Sequence, residues 1–298
     1  METPVTPDGL TRREVLQLIA ASGAGAIAGK RLLAKAPSTL GVQIYTVRDQ
    51  FAKDPEATIK AIADIGYKEI ELVYGDIDKS VPLAKKYGLA PVSIHLDSAL
   101  LTHGPKPGRD DLATAVEKAK AAGTKYLVVP YVAPEDRPKD AAGFTDFGRK
   151  LQGAAEQVTK AGLGFCYHNH AFEFAPLPDG KRPLDVMLEA CDPKVVKLEL
   201  DVFWVSITGA DPVSIIKQYS GRTSLMHLKD KVKGAPTALN ETVPPTTFVE
   251  VGSGGVDFPA VLAAASAATV QHYFVEQDHS ADPIESLRKS YQYLTALT

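Results

Sequence analysis

The sequence predicts an α/β protein folded as a single (β/α)8 TIM barrel, and three observations predict it. From residue 38 onward, short runs rich in β-branched and aromatic residues alternate with longer amphipathic segments, the pattern of repeated βα units around a parallel sheet. Eight of each can be counted. The 298-residue chain, less a distinct N-terminal segment of 36 residues, has close to the ~250 residues of a typical barrel.

The strands are expected over 40–45, 69–73, 90–95, 126–132, 164–168, 195–202, 224–229 and 271–276. Helices are expected over 55–65, 79–87, 110–122, 141–161, 183–190, 212–218, 258–267 and 283–298. Gly66, Gly88 and Gly162 each fall between a helix and the next strand, where a left-handed terminator is wanted. The longest irregular stretches, 97–108, 176–181 and 232–255, all follow strands. They are βα loops, on the face where barrel enzymes keep their sites. A doubly wound dinucleotide-binding sheet would need a glycine-rich turn after its first strand, and Ile44 to Asp49 contains no glycine. Gly252-Ser253-Gly254-Gly255 is a Gly-rich loop late in the chain, readable as a flexible turn or as a grip on a substrate hydroxyl or phosphate.

Residues 1–36 read as an export segment and residues 37–298 as the barrel. Arg12-Arg13 precedes a small-residue apolar run, 18–28, too short and glycine-rich for a membrane span. The arrangement resembles a twin-arginine signal, which implies a periplasmic protein with no membrane association after export. Without a functional leader the protein would be cytoplasmic. The formal net charge of -3 and the lack of a Lys/Arg block exclude a nucleic-acid footprint. Cys166 and Cys191 form no metal-binding spacing and read as buried free thiols.

Four predicted strands end in residues able to bind a metal. They are His168 in Tyr167-His168-Asn169-His170, Asp201 after Leu198-Glu199-Leu200, His227 between Met226 and Leu228, and Glu276 after Tyr273-Phe274-Val275. A closed barrel brings neighbouring C-terminal ends together, so these side chains are expected to converge on one ion. Imidazole and carboxylate donors without thiolate suit Mn²⁺, Co²⁺, Fe²⁺ or Zn²⁺. His168 and His170 share a face if the strand stays extended, so either is the ligand and the other a substrate contact; Asn169 faces away. Lys229, two residues beyond His227, either binds a substrate oxygen or pairs with Asp201 or Glu276. Trp204 is expected in a loop, stacking on a sugar or packed beneath that loop. Glu173 is not expected among the ligands.

The region from residue 38 to the end resembles the xylose isomerase-like barrel family of sugar isomerases and epimerases. Gly66-Tyr67-Lys68-Glu69-Ile70-Glu71-Leu72 is similar to the family's second strand and Pro91-Val92-Ser93-Ile94-His95 to its third. Asp201-Val202-Phe203-Trp204, His227-Leu228-Lys229-Asp230 and Gly252 to Phe258 resemble its later signatures. The resemblance implies that Glu71 reaches the site, that His95 contacts substrate, and that the ligands are His168, Asp201, His227 and Glu276. Family ligands run glutamate, aspartate, histidine, glutamate, so His168 is a departure that removes one expected proton carrier. Glu276, His170, Glu71 and Lys229 are then the candidate acid/base groups.

The implied activity is metal-dependent isomerisation or epimerisation of a carbohydrate, by proton abstraction next to a carbonyl through an enediolate. The alternative, which His168 and export both raise, is a lyase or hydratase acting on 3-keto-glycosides through the same intermediate. A non-catalytic sugar-binding protein and an endonuclease on the same barrel are further readings. The first lacks aromatic platforms beyond Trp204 and the second lacks a basic surface. Related barrels often pair through their outer helices, so the same resemblance allows a homodimer, but no exposed apolar stripe in the sequence marks one.

Overall fold

The computed structural model describes residues 37–104, 107, 108 and 110–297; the export reading of 1–36 lies outside the described residues. Seven parallel strands come first, β1 (Gly41–Gln43), β2 (Glu69–Val73), β3 (Ala90–His95), β4 (Tyr126–Val129), β5 (Gly164–His168), β6 (Val196–Asp201) and β7 (Thr223–Leu228). An antiparallel pair, β8 (Asp230–Lys231) and β9 (Phe248–Val249), precedes the last barrel strand, β10 (His272–Val275). The eight longer-range partners close into one barrel, with β10 lying between β7 and β1. This is the expected TIM barrel.

Side-chain chemistry sets the element boundaries. β1 stops at Gln43, short of the expected residue 45, because the Gln43 side chain accepts the Tyr45 N–H and starts a tight turn over Ile44–Val47. β6 ends at Asp201, whose carboxylate caps a helix, Val202–Ile207, so Trp204 sits in a first helical turn instead of a loop. Asp54, Asp111, Asp140, Asp211, Asp257 and Asp282 cap other helices in the same way. Each such cap contributes about 1 kcal/mol. Gly88 and Gly162 adopt φ of 76° and 88° at helix ends, the left-handed geometry expected of them.

Two apolar layers flank the sheet. Outside it, Ile59, Ile62, Leu72, Leu127, Leu151, Leu198 and Leu200 are fully buried between barrel and helices. Inside it, Val92, Val128, Cys166, Leu225 and Phe274 meet across the lumen as a separate cluster. Three of these stand two residues before His168, His227 and Glu276 on their strands, so the pleat stacks the polar residues directly above an apolar floor. Cys166 and Cys191 are both buried and free. Among the described residues no helix is long and apolar enough to cross a membrane.

Candidate metal centre

His168, Asp201, His227 and Glu276 converge at the top of the barrel, each offering one donor atom within 4.8 Å of the others. The capping geometry of Asp201 decides which of its oxygens is available. Oδ1 accepts the N–H groups of Phe203 and Trp204 at 2.8 and 3.1 Å, while Oδ2 is buried without a hydrogen-bond partner. That Oδ2 lies 3.9 Å from His168 Nε2, 3.9 Å from His227 Nδ1 and 3.1 Å from Lys229 Nζ. Glu276 Oε2 is 2.9 Å from the same His227 Nδ1. Two imidazole nitrogens and two carboxylate oxygens at these separations fit one divalent ion with metal–ligand bonds of about 2.0–2.2 Å. Asp201 Oδ2 is paired with the Lys229 ammonium but makes no hydrogen bond, leaving acceptor capacity that such an ion would satisfy.

Lys229 adds a single positive charge. Its ammonium is 2.6 Å from Glu276 Oε2 and 2.8 Å from Asp278 Oδ1 as well as 3.1 Å from Asp201, so it pairs with both expected partners and a third. Burial would lower the Lys229 pKa, but Asp201, Asp278 and Glu276 hold it well above its ordinary value. Burial pushes Asp201 up to about 6 against the pull of Lys229, whereas Glu276, though equally buried, is held low by Lys229 and His227. Burial would lower the His227 pKa, but Glu199, Glu276 and Glu71 hold it well above its ordinary value, so the ring adds positive charge that a divalent cation would replace.

A second polar layer lies beneath. Glu199 Oε2 is 2.8 Å from His95 Nε2, 3.1 Å from His168 Nδ1 and 3.3 Å from His227 Nε2. Glu71 Oε2 accepts from His227 Nε2 at 2.6 Å and from the Gln43 amide at 2.9 Å, and Glu71 Oε1 accepts the Ser93 hydroxyl at 2.5 Å. His95, His168, Glu199 and His227 form a second possible ion cradle. Its contacts have hydrogen-bond lengths, and each imidazole can donate a proton to Glu199. The structure therefore corrects the expectation for Glu71: fully buried, bound by four side chains and absent from the cavity wall, it supports His227 and cannot contact a substrate. His95 reaches both Glu71 and Glu199 yet also lines the cavity.

Above the cluster opens a cavity of about 400 Å³. His168, His170, Trp204, Lys229, Glu276 and Asp278 form its floor and one side; Tyr45, Tyr131, Val243 and Phe248 contribute apolar wall. Because β5 ends at His168, His170 no longer shares that strand's face. His168 joins the cluster and His170 joins the wall, its Nδ1 buried without a partner. Burial, then the charge of Lys229, push His170 well below its ordinary pKa, leaving a neutral ring. Asn169 faces away, as expected, and bridges to Asp201, accepting its N–H at 3.0 Å. Trp204 is 3% exposed, packed edge-on against Phe203 with ring centroids 4.8 Å apart, and it still lines the cavity beside His170. Glu173 stays out of the cluster: it accepts the Tyr167 hydroxyl at 2.6 Å and the His170 N–H at 2.9 Å.

The Gly-rich loop is neither a free turn nor a phosphate grip. Its amides wrap the Asp230 carboxylate, which accepts from Lys231, Gly252, Gly254 and Val256 at 2.8 to 3.1 Å. A Cβ on Gly254 would meet the Lys231 carbonyl at 2.1 Å, so the anion site is filled from within and shaped for its own aspartate.

Glu199, Asp278 and Glu241 are site residues that reading strand ends alone misses. The first was reachable by the period of two, since Glu199 precedes Asp201 by two on β6, whereas Asp278 lies beyond the end of β10 and shares no strand face with Glu276. Glu241 had no local signal. It comes from the long loop between β8 and β9 and is placed by Arg137 at 2.8 Å and the Phe172 N–H at 3.2 Å.

Comparison with known proteins agrees with this architecture. A family model described as a xylose isomerase-like TIM barrel matches residues 59–297. An inosose dehydratase of Geobacillus thermodenitrificans is 28% identical over 155 residues, 48% of this chain and 51% of that protein. The chain thus spans about half the length of the curated relatives it matches. A sugar phosphate isomerase/epimerase from Parabacteroides distasonis superposes with a TM-score of 0.72 at 22% identity, covering 88% of this chain and 96% of that one. The IOLI protein with a bound zinc atom superposes at 0.62 with 16% identity, covering 87% and 98%.

Proposed function

Because the chain belongs to the xylose isomerase-like TIM barrel family, we propose that it is a metal-dependent lyase that removes water or an alcohol β to the carbonyl of a polyhydroxylated ring ketone. Keto-cyclitols and 3-keto-glycosides are the substrate class. The observation that carries this reading is the neutral imidazole of His170 in the cavity wall, unbonded at Nδ1 and set beside Lys229 and Glu276. Elimination needs one group to take the proton and pass it to the departing oxygen, whereas epimerisation needs a base on each face of the substrate. The matched inosose dehydratase is named for a reaction of this kind.

The residues divide the work. His168, Asp201, His227 and Glu276 would hold one ion of the Mn²⁺, Co²⁺, Fe²⁺ or Zn²⁺ class; the relative that carries zinc supports that class without choosing within it. When bound, the ion would act as a Lewis acid toward the carbonyl and its neighbouring hydroxyl. The His170 imidazole takes the proton from the carbon next to the carbonyl. The C–O bond at the β carbon then breaks as the C=C bond forms, and His170 returns its proton to the leaving oxygen. Lys229 Nζ, fixed by three carboxylates, sets the charge beside the reacting atoms, and Tyr131, Trp204 and Phe248 cover the ring and exclude water. Glu276 also lines the cavity, which keeps epimerisation as the second reading, since it offers a base distinct from His170. Export to the periplasm remains part of the proposal, argued from residues 1–36 alone.

The test is incubation with an inosose, a 3-keto-glucoside and an unmodified ketose, followed by mass spectrometry and NMR. An unsaturated ketone or released alcohol is expected from the first two. A C-epimer as the only product would replace the lyase by the epimerase.

A further inference from the structure

We infer that Glu199 and Glu71 are positioning residues that decide which nitrogen each imidazole turns toward the metal cluster. This inference rests on the proposed ion site at His168, Asp201, His227 and Glu276. Neither carboxylate lines the cavity, and both are fully buried.

A histidine can ligate through either ring nitrogen, and the choice is set by what the other nitrogen bonds to. The two imidazoles here use opposite nitrogens. His168 turns Nε2 toward Asp201 and gives Nδ1–H to Glu199 at 3.1 Å. His227 turns Nδ1 toward Asp201 and Glu276 and gives Nε2–H to Glu71 at 2.6 Å. Without its carboxylate either ring could rotate about χ2 and present the wrong atom.

The carboxylates are themselves held. Gln43 is oriented by the Tyr45 N–H on its Oε1, so its amide nitrogen faces Glu71 Oε2 and His95 Nδ1, at 2.9 and 3.2 Å. That places the proton of His95 on Nε2, where it is donated to Glu199 at 2.8 Å. One chain of bonds thus runs from the β1 terminus through His95 to Glu199 and His168. A second runs from Ser93 through Glu71 to His227. Glu199 also does for His168 what a carboxylate ligand would do directly, lending it negative charge from the layer below.

The test measures Co²⁺ affinity, by competition with a chelator, in wild type, Glu199→Ala, Glu199→Gln, Glu71→Ala and Asp201→Ala, each checked for fold by circular dichroism. Glu199→Ala and Glu71→Ala are expected to bind about 10- to 100-fold more weakly. Glu199→Gln, which keeps an acceptor oxygen, is expected to recover most of that loss. Alanine variants within twofold of wild type overturn the inference, and so does a glutamine variant as weak as alanine. Uptake abolished by Glu199→Ala but kept by Asp201→Ala also overturns it, because the ion would then sit in the lower cradle with Glu199 as a ligand. Imidazole proton NMR of the metal-free protein separates this inference from the proposed function. A hydrogen-bonded Nδ1–H of His168 that vanishes in Glu199→Ala supports the inference even if no ion binds, and its survival in that variant refutes it.

Discussion

Replacing Asp230 by alanine should loosen the Gly-rich loop at residues 252–256 and weaken the whole barrel by about 3–4 kcal/mol. Asp230 accepts four backbone N–H groups, two on each oxygen, from Lys231, Gly252, Gly254 and Val256. Hydrogen bonds to a charged group contribute roughly 1.5–3 kcal/mol each, which would give an upper value of ~6–12 kcal/mol if they were independent. They share one carboxylate and so are not additive. Gly252 and Gly255 are exposed, so water can reach much of the loop once the carboxylate is gone, which brings the expected cost to roughly half the lowest independent sum, ~3–4 kcal/mol. Asp230→Asn keeps one oxygen acceptor and should lose about half as much. Urea unfolding gives the stabilities. Because Asp230 pairs with Val249 and Lys231 with Phe248, the alanine variant should also raise KM through a displaced Phe248 wall. A change below about 1 kcal/mol for the alanine variant would refute the filled-nest account of this loop.

Asp201→Ala and His227→Ala should each lose the bound ion, and chelation of wild type should lower its thermal midpoint; stabilisation of ~2.7 kcal/mol is expected at an ion concentration one hundred times Kd. Retention of metal by both variants would defeat the site assignment. Burial pushes Glu173 up to about 8, above its value in the unfolded chain, so the folded state holds the extra proton and stability should fall as pH rises from about 5 to 8. Glu173→Gln should remove that slope in urea titrations at pH 6 and pH 9, and parallel slopes would refute the buried-proton reading. The cavity carries Glu241, Glu276 and Asp278 against one lysine already pinned by carboxylates, and Asp230 fills the nearby amide nest. A phosphorylated keto-sugar should accordingly bind at least tenfold more weakly than its neutral parent by calorimetry, and equal affinity would contradict this charge argument.

The barrel was legible because its signals are local and repeated. Alternating β-rich and amphipathic segments and left-handed glycines each act within a few residues, and β2, β3 and β5 run over the residues expected of them. The convergence of His168, Asp201, His227 and Glu276 was legible for a related reason, since a closed parallel barrel delivers all strand ends to one rim. What sequence left open depended on bonds between distant residues. The division of labour between His168 and His170 turns on where β5 stops. Glu71 looked like a reacting group until its four partners, from three strands, placed it under His227. The Gly-rich loop carried a phosphate-binding pattern whose anion proved to be Asp230, over twenty residues earlier in the chain.

We propose that ring-ketone elimination at this site requires one divalent ion held by His168, Asp201, His227 and Glu276. The requirement is tested most directly by titrating metal-free protein with Co²⁺ or Zn²⁺ while following water loss from an inosose. Turnover should rise linearly to one equivalent and then level, with Asp201→Ala inactive throughout. Full turnover in chelated protein, or activity unaffected by Asp201→Ala, would contradict the account.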